Sequence, residues 1–190
     1  WQACPALSTT LKAIQEEQPG RLAVASFHMD FAGMTDPMST AATNSYRTNI
    51  LGNFSGLPRL FYNLRKGTKE MISIKSQIEE ELQKELSNYP ASCGVAVESV
   101  YNASDRTVTI TAKLTSNVTN TYRCLIYLVE DGIKYFQTNG ANDYTHNNVV
   151  RAVVSTSLNG DRFNGEVNAG VESTMQRSYQ LEPGWNADNM

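Results

Sequence analysis

The side chains in this 190-residue sequence that could do chemistry are few: three cysteines and two histidines, with two of the six prolines placed to help them. Cys4 stands directly before Pro5, and proline favours the first turn of a helix because its missing N–H costs nothing there. A thiolate at a helix start is stabilised by the exposed N–H groups and the positive end of the helix dipole. Cys4 is therefore the candidate redox nucleophile. That chemistry normally takes a second cysteine in a Cys-x-x-Cys arrangement, and Trp1 stands where the partner would be. A cysteine upstream of Trp1 would complete the pair; otherwise Cys4 is a half-buried thiol at a helix end. Pro58, in Gly56-Leu57-Pro58, opens a strand after a loop. There it is either a cis-proline facing the helix start that carries Cys4 or a trans proline on an edge strand.

His28 follows a short apolar run, at the carboxyl end where open α/β sheets keep their ligands. His146 lies in a polar stretch rich in Asn and Tyr, from Gln137 to Asn148, and reads as a loop residue. Cys93 and Cys124 fall on strand-like segments, where they either bridge two sheets or sit as separate buried thiols. Three cysteines are too few for a disulfide framework and too widely spaced for a zinc site. No Ser-His-Asp, paired-carboxylate or phosphate-loop pattern stands out, and no cofactor is implied.

The elements that must position these groups follow from period. Leu7, Leu11 and Ile14 recur at helical spacing until Pro19-Gly20 stops the run. Leu22 to Phe27 has the continuous apolar character of a strand buried on both faces. Asp36-Pro37 signals a helix through about Ile50, and Arg59 to Leu64 a strand turned by Lys66-Gly67. Thr68 is placed to cap a long helix with Met71, Ile74, Ile78, Leu82 and Leu86 on one stripe, ended by Pro90. After Pro90 the period falls from 3.6 to 2. Val95 and Val97 alternate with Ala96 and Glu98, while Val108, Ile110, Ala112 and Leu114 alternate with Thr and Lys. Asn102 to Asp105 turns between those two strands. Further strands are expected at Tyr122–Val129, Val149–Ser155 and Val171–Leu181. Helices alternating with strands, then strands alone, predict an α/β domain over 1–89 and an all-β, antiparallel sandwich over 90–190.

A formal charge of −3 provides no basic face for nucleic acid. No apolar run reaches the ~20 residues of a membrane-spanning helix. The dominance of Asn, Ser and Thr over Lys and Glu among the polar residues suits an exported protein.

In order along the chain, five segments resemble the outer-membrane protein twenty-eight lipoproteins of Bacteroidetes. They are Ala3-Cys4-Pro5, Phe27-His28-Met29-Asp30, Gly56-Leu57-Pro58, Leu125 to Gly132 and His146 to Val153. The resemblance implies a thioredoxin-like front domain, here with its first strand apparently missing, joined to an immunoglobulin-like sandwich. It also implies a lipid anchor outside this chain as the tie to the membrane, and residence at the outer membrane or cell surface of a Gram-negative bacterium. Both ends then read as trimmed. Members often carry a second cysteine just before the Cys-Pro, and this chain departs there. The function expected is a non-catalytic binding, adhesion or assembly module for a protein or surface ligand, with Tyr144, His146 and Asn147 as its binding residues. The rival is a thiol–disulfide oxidoreductase using Cys4 and Pro58.

Overall fold

The computed structural model describes residues 1–70 and 72–190. In chain order the elements are α1 (Cys4–Glu17), α2 (Ala41–Tyr46) running into a π-helical turn (Arg47–Leu51), β1 (Phe61–Tyr62), β2 (Arg65–Lys66) and α3 (Lys75–Asn88). Then follow β3 (Cys93–Asn102), β4 (Thr107–Ser116), β5 (Arg123–Cys124), β6 (Tyr127–Glu130), β7 (Ile133–Tyr135), β8 (Tyr144–His146), β9 (Val149–Val153), β10 (Asp161–Arg162) and β11 (Ser173–Gln180). A 3₁₀ turn covers Ala187–Asn189. The protein is thus mixed, with few helices and several antiparallel sheets.

By their contacts these elements form two units, Trp1–Pro90 with Asp131–Val149, and Ala91–Glu130 with Val150–Met190. The segment Asp131–Val149, which its position in the chain assigns to the sandwich, packs within the first unit.

In the first unit, α1 and α3 bury Leu7, Ile14 and Ile78 together with Ile72, flanked by Leu11, Leu22, Leu60, Tyr62 and Leu82. The helix expected from Thr68 begins instead at Lys75. Thr68 gives its amide N–H and its hydroxyl to the carboxylate of Glu81, a buried residue of α3. It is therefore tied across the helix rather than capping it. Of the expected stripe, Ile78 is fully buried while Ile74 and Leu86 are exposed; Met71 lies outside the described residues. The second helix likewise starts late, at Ala41, where Thr40 and Thr43 form a reciprocal capping box. Asp36 makes its own contacts further upstream, described below.

Leu22 to Phe27 is extended, but Ala23 and Ala25 are exposed. Among the described residues its ladder contact is the parallel bridge of Ser26 to Val149. Leu22, Val24 and Ser26 are half-buried while the alternate Ala23 and Ala25 are exposed, so one face is open, which corrects the expectation of burial on both. The strand expected at Arg59–Leu64 is cut short by a turn at Asn63-Leu64, both with positive φ (48° and 66°), which pairs Phe61 with Lys66 and Tyr62 with Arg65.

The second unit is built on the three-stranded order β11-β4-β3. Asn102 accepts from the Ser104 amide and Asp105 from the Thr107 amide, so the turn closes as its residues suggest. Ile110, Ala112 and Leu114 of β4 are buried, the first two in a cluster with Ile126, Leu128, Ala152 and Leu181, the third with Phe163, Val167 and Met175. Cys93 and Cys124 both pack against this second cluster as free thiols.

Candidate functional site

The chemistry-bearing side chains of the first unit converge on the segment His28 to Asp36. His28 Nδ1 lies 2.9 Å from Asp36 Oδ2. A carboxylate only accepts, so Nδ1 is the donor in this bond. The other Asp36 oxygen accepts from the Met38 amide at 2.8 Å. Burial disfavours the Asp36 carboxylate, yet the His28 hydrogen bond and charge together with the Met38 N–H hold its pKa below the ordinary value.

Asp30 fixes this loop in place. Its Oδ1 accepts from the Asp36 amide at 3.0 Å and the Ser39 hydroxyl at 2.8 Å, and its Oδ2 from Asn44 at 3.0 Å. Asn44 in turn accepts from the Asp30 amide at 2.8 Å. Arg47 donates to the Asp30 carbonyl and lies 4.6 Å above the Phe31 ring. The backbone N–H of Asp36, then the Ser39 hydroxyl, lower the Asp30 pKa against burial.

The β7–β8 hairpin brings the second histidine to the first. Ser26 N–H donates to the Asn148 carbonyl at 2.7 Å, which sets the hairpin beside the His28 segment. The His28 and His146 rings then meet edge to face at 5.4 Å, and Tyr144 meets His146 in the same manner at 4.9 Å. His146 is 5% exposed, and its Nε2 is buried without a hydrogen-bond partner among the described residues. Burial first, then the neighbouring His28, push its pKa down; the Tyr135 carbonyl and Asp36 pull the other way without prevailing.

Cys4 opens α1, where the helix start would lower its pKa. Burial instead raises it, with the Asp36 charge raising it further. The Leu57–Pro58 peptide bond is cis and Pro58 is buried. Asn147 spends its side-chain oxygen on the Gly132 amide at 2.9 Å, closing the hairpin.

The fold thus places Cys4, Asp36, His28, His146 and Tyr144 within one electrostatic neighbourhood, while Asn147 acts within its own turn. Asp36 and Asp30 escaped the sequence motifs. Asp-Pro reads as a helix start, and nothing in spacing reveals that the carboxylate turns back to His28. Among the described residues no group of three His, Cys, Asp or Glu side chains is arranged to hold a metal ion, and no helix is long and apolar enough to cross a membrane.

Residues 48–190 match the model of the family described as outer membrane protein Omp28. The chain belongs to this Omp28 family. Membership gives the chain a place at the outer membrane or cell surface. None of the curated proteins matches the sequence. Among solved structures, HBP35 of Porphyromonas gingivalis is similar over 94% of this chain, with a TM-score of 0.64 and 17% identity. At that identity the likeness speaks for the fold alone. The chain spans 59% of the length of that structure.

Proposed function

We propose that this Omp28-family chain is a non-catalytic assembly module of the outer-membrane surface, binding another protein through the open face of its second unit. The observation that carries the reading is the mismatch across the β3–β4 ladder. Residues directly opposite in an antiparallel pair share one face. Val95 pairs with Leu114, Val97 with Ala112, Ser99 with Ile110 and Tyr101 with Val108. The β4 members are buried or half-buried, yet Val95 and Val97 are 67% and 68% exposed. On the far side of β4, Met175 shares that face and is buried. The apolar face therefore continues onto β3 while its cover stops at β4.

Fully burying a valine is worth about 1.5–3 kcal/mol, so two left open forfeit most of that. Among the described residues β3 is also an edge strand of ten residues without proline or lysine, with Glu98 as its one charged side chain. Such an edge and face suit a partner strand with apolar residues at alternate positions, added by main-chain pairing. A front unit of thioredoxin-like type and a second unit of immunoglobulin-like type are part of the same reading. The helix–strand order of the first and the antiparallel β3–β4–β11 core of the second support them.

The test is Val95→Lys with Val97→Lys in the intact protein, followed by the size of its native outer-membrane complexes. The account expects the complexes to dissolve while circular dichroism stays unchanged. Complexes of unaltered size would refute it. The rival reading, thiol–disulfide exchange at Cys4, needs a thiol pKa below the ordinary value, and burial moves this one the other way.

A further inference from the structure

We propose that His146 is a proton-operated latch, holding the Asp131–Val149 hairpin on the first unit at neutral pH and loosening it in acid. The hairpin closes on itself. Ile133 pairs with His146 and Tyr135 with Tyr144, the Asn148 amide donates to Asp131 at 2.5 Å, and the Gly132 amide donates to Asn147. Among the described residues its hydrogen bonds to the rest of the unit are few. Ser26 N–H reaches the Asn148 carbonyl at 2.7 Å, Gln137 donates to the Trp1 carbonyl at 2.9 Å, and Asn139 donates to the Gln2 carbonyl at 3.4 Å. Val149, fully buried at the end of the segment and bridged to Ser26, and the buried Gln137 add packing, and the buried His146 ring lies against His28. A small set of contacts centred on one titratable ring is a unit that can open locally without global unfolding.

A proton added at Nε2 meets no acceptor among the described residues, and a buried charge without a partner is costly. The groups around it do not offset that cost. From the opposing segment it faces His28 and Asp36, and Asp36 is already bonded to His28 Nδ1. From its own hairpin it faces Tyr144 and the Tyr135 carbonyl, with the Lys134 ammonium held on the neighbouring Thr145 hydroxyl. Burial and His28 win, and the folded ring binds its proton less readily than the free one. For a base whose folded pKa lies below its unfolded value, attachment is complete above the unfolded value, 6.5, and weakens as pH falls below it.

Backbone hydrogen exchange of the full 190-residue chain, corrected for the intrinsic pH dependence, tests the latch at pH 7.5 and pH 5. The expectation is that amides of β7 and β8 exchange faster in acid, while β3 and β4 keep their protection. In His146→Phe, which keeps a buried ring and cannot titrate, the acid response disappears. Should that variant fail to fold, the wild-type His146 ring is followed by NMR. A midpoint below 6.5 that coincides with hairpin loosening supports the latch. Equal hairpin protection at both pH values, a His146→Phe variant that still loosens, or a ring titrating at 6.5 or above overturns it.

Discussion

Burial outweighs local dipoles and neighbouring charge at Cys4 and His146 of the first unit. Cys4 occupies a helix start, a position worth several tenths of a kcal/mol to a thiolate, yet desolvation sets its direction. Alkylation of Cys4 by iodoacetamide is therefore expected to reach half-maximal rate above the pH required by a free cysteine; a midpoint at or below about 7 would contradict this. The second unit shows the opposite balance at Asp161. There the Thr156 amide and hydroxyl and the Arg177 guanidinium (2.7 Å) overcome burial and hold the carboxyl at about 2. A folded pKa below the ordinary 3.8 adds stability that is present above that value and lost as pH falls towards about 2. Asp161→Asn is expected to cost about 2–4 kcal/mol in urea unfolding at neutral pH. The gap from wild type should close over that acid window.

At the scale of elements, the turn between β1 and β2 puts Leu64 at φ 66°, a left-handed conformation that side chains other than glycine adopt at a cost. Leu64→Gly is expected to raise stability by about 0.5–1 kcal/mol, read as an increase in the denaturant midpoint. No change or a loss would show that the Leu64 side chain, itself exposed, contributes packing instead. Ile78 is fully buried between α1 and α3, and Ile78→Ala should cost about 2–4 kcal/mol.

These elements also mark what could be read from the sequence. The Leu7, Leu11, Ile14 period and the alternation of β4 were legible, since each pattern is decided by one buried face. The start of α3 was not: Thr68 looks like a cap, and its carboxylate partner Glu81 lies thirteen residues on. The exposure of Val95 and Val97 was likewise hidden, because alternation reports which side a residue faces and not whether anything covers that side. The His28–Asp36 pair depends on a loop closing through Asp30 and Asn44, a tertiary event that leaves no periodic trace.

At the scale of the molecule, the sequence is read out in an order that differs from the packing. The chain leaves the second unit after Glu130, contributes a hairpin to the first, and returns at Val150. That excursion is what places His146 beside His28. The period change at Pro90 marks where α3 gives way to β3, but a 2-residue period cannot say which unit a strand joins. The Omp28 family likeness was legible, with the three segments from Gly56 onward lying inside the matched residues 48–190, while the chemistry usually expected of a Cys-Pro helix start is opposed here by burial. The central claim is that the open face of β3 is covered at the outer membrane by another protein. The most direct measurement replaces Val97 by Cys and compares its labelling by a membrane-impermeant thiol reagent in the isolated protein and in intact outer membranes, with Val171→Cys as an exposed control. The account predicts rapid labelling of both positions in isolation and at least about ten-fold protection of position 97 alone in the membrane, the equivalent of 1.4 kcal/mol of occupancy. Equal labelling of position 97 in both settings would contradict it.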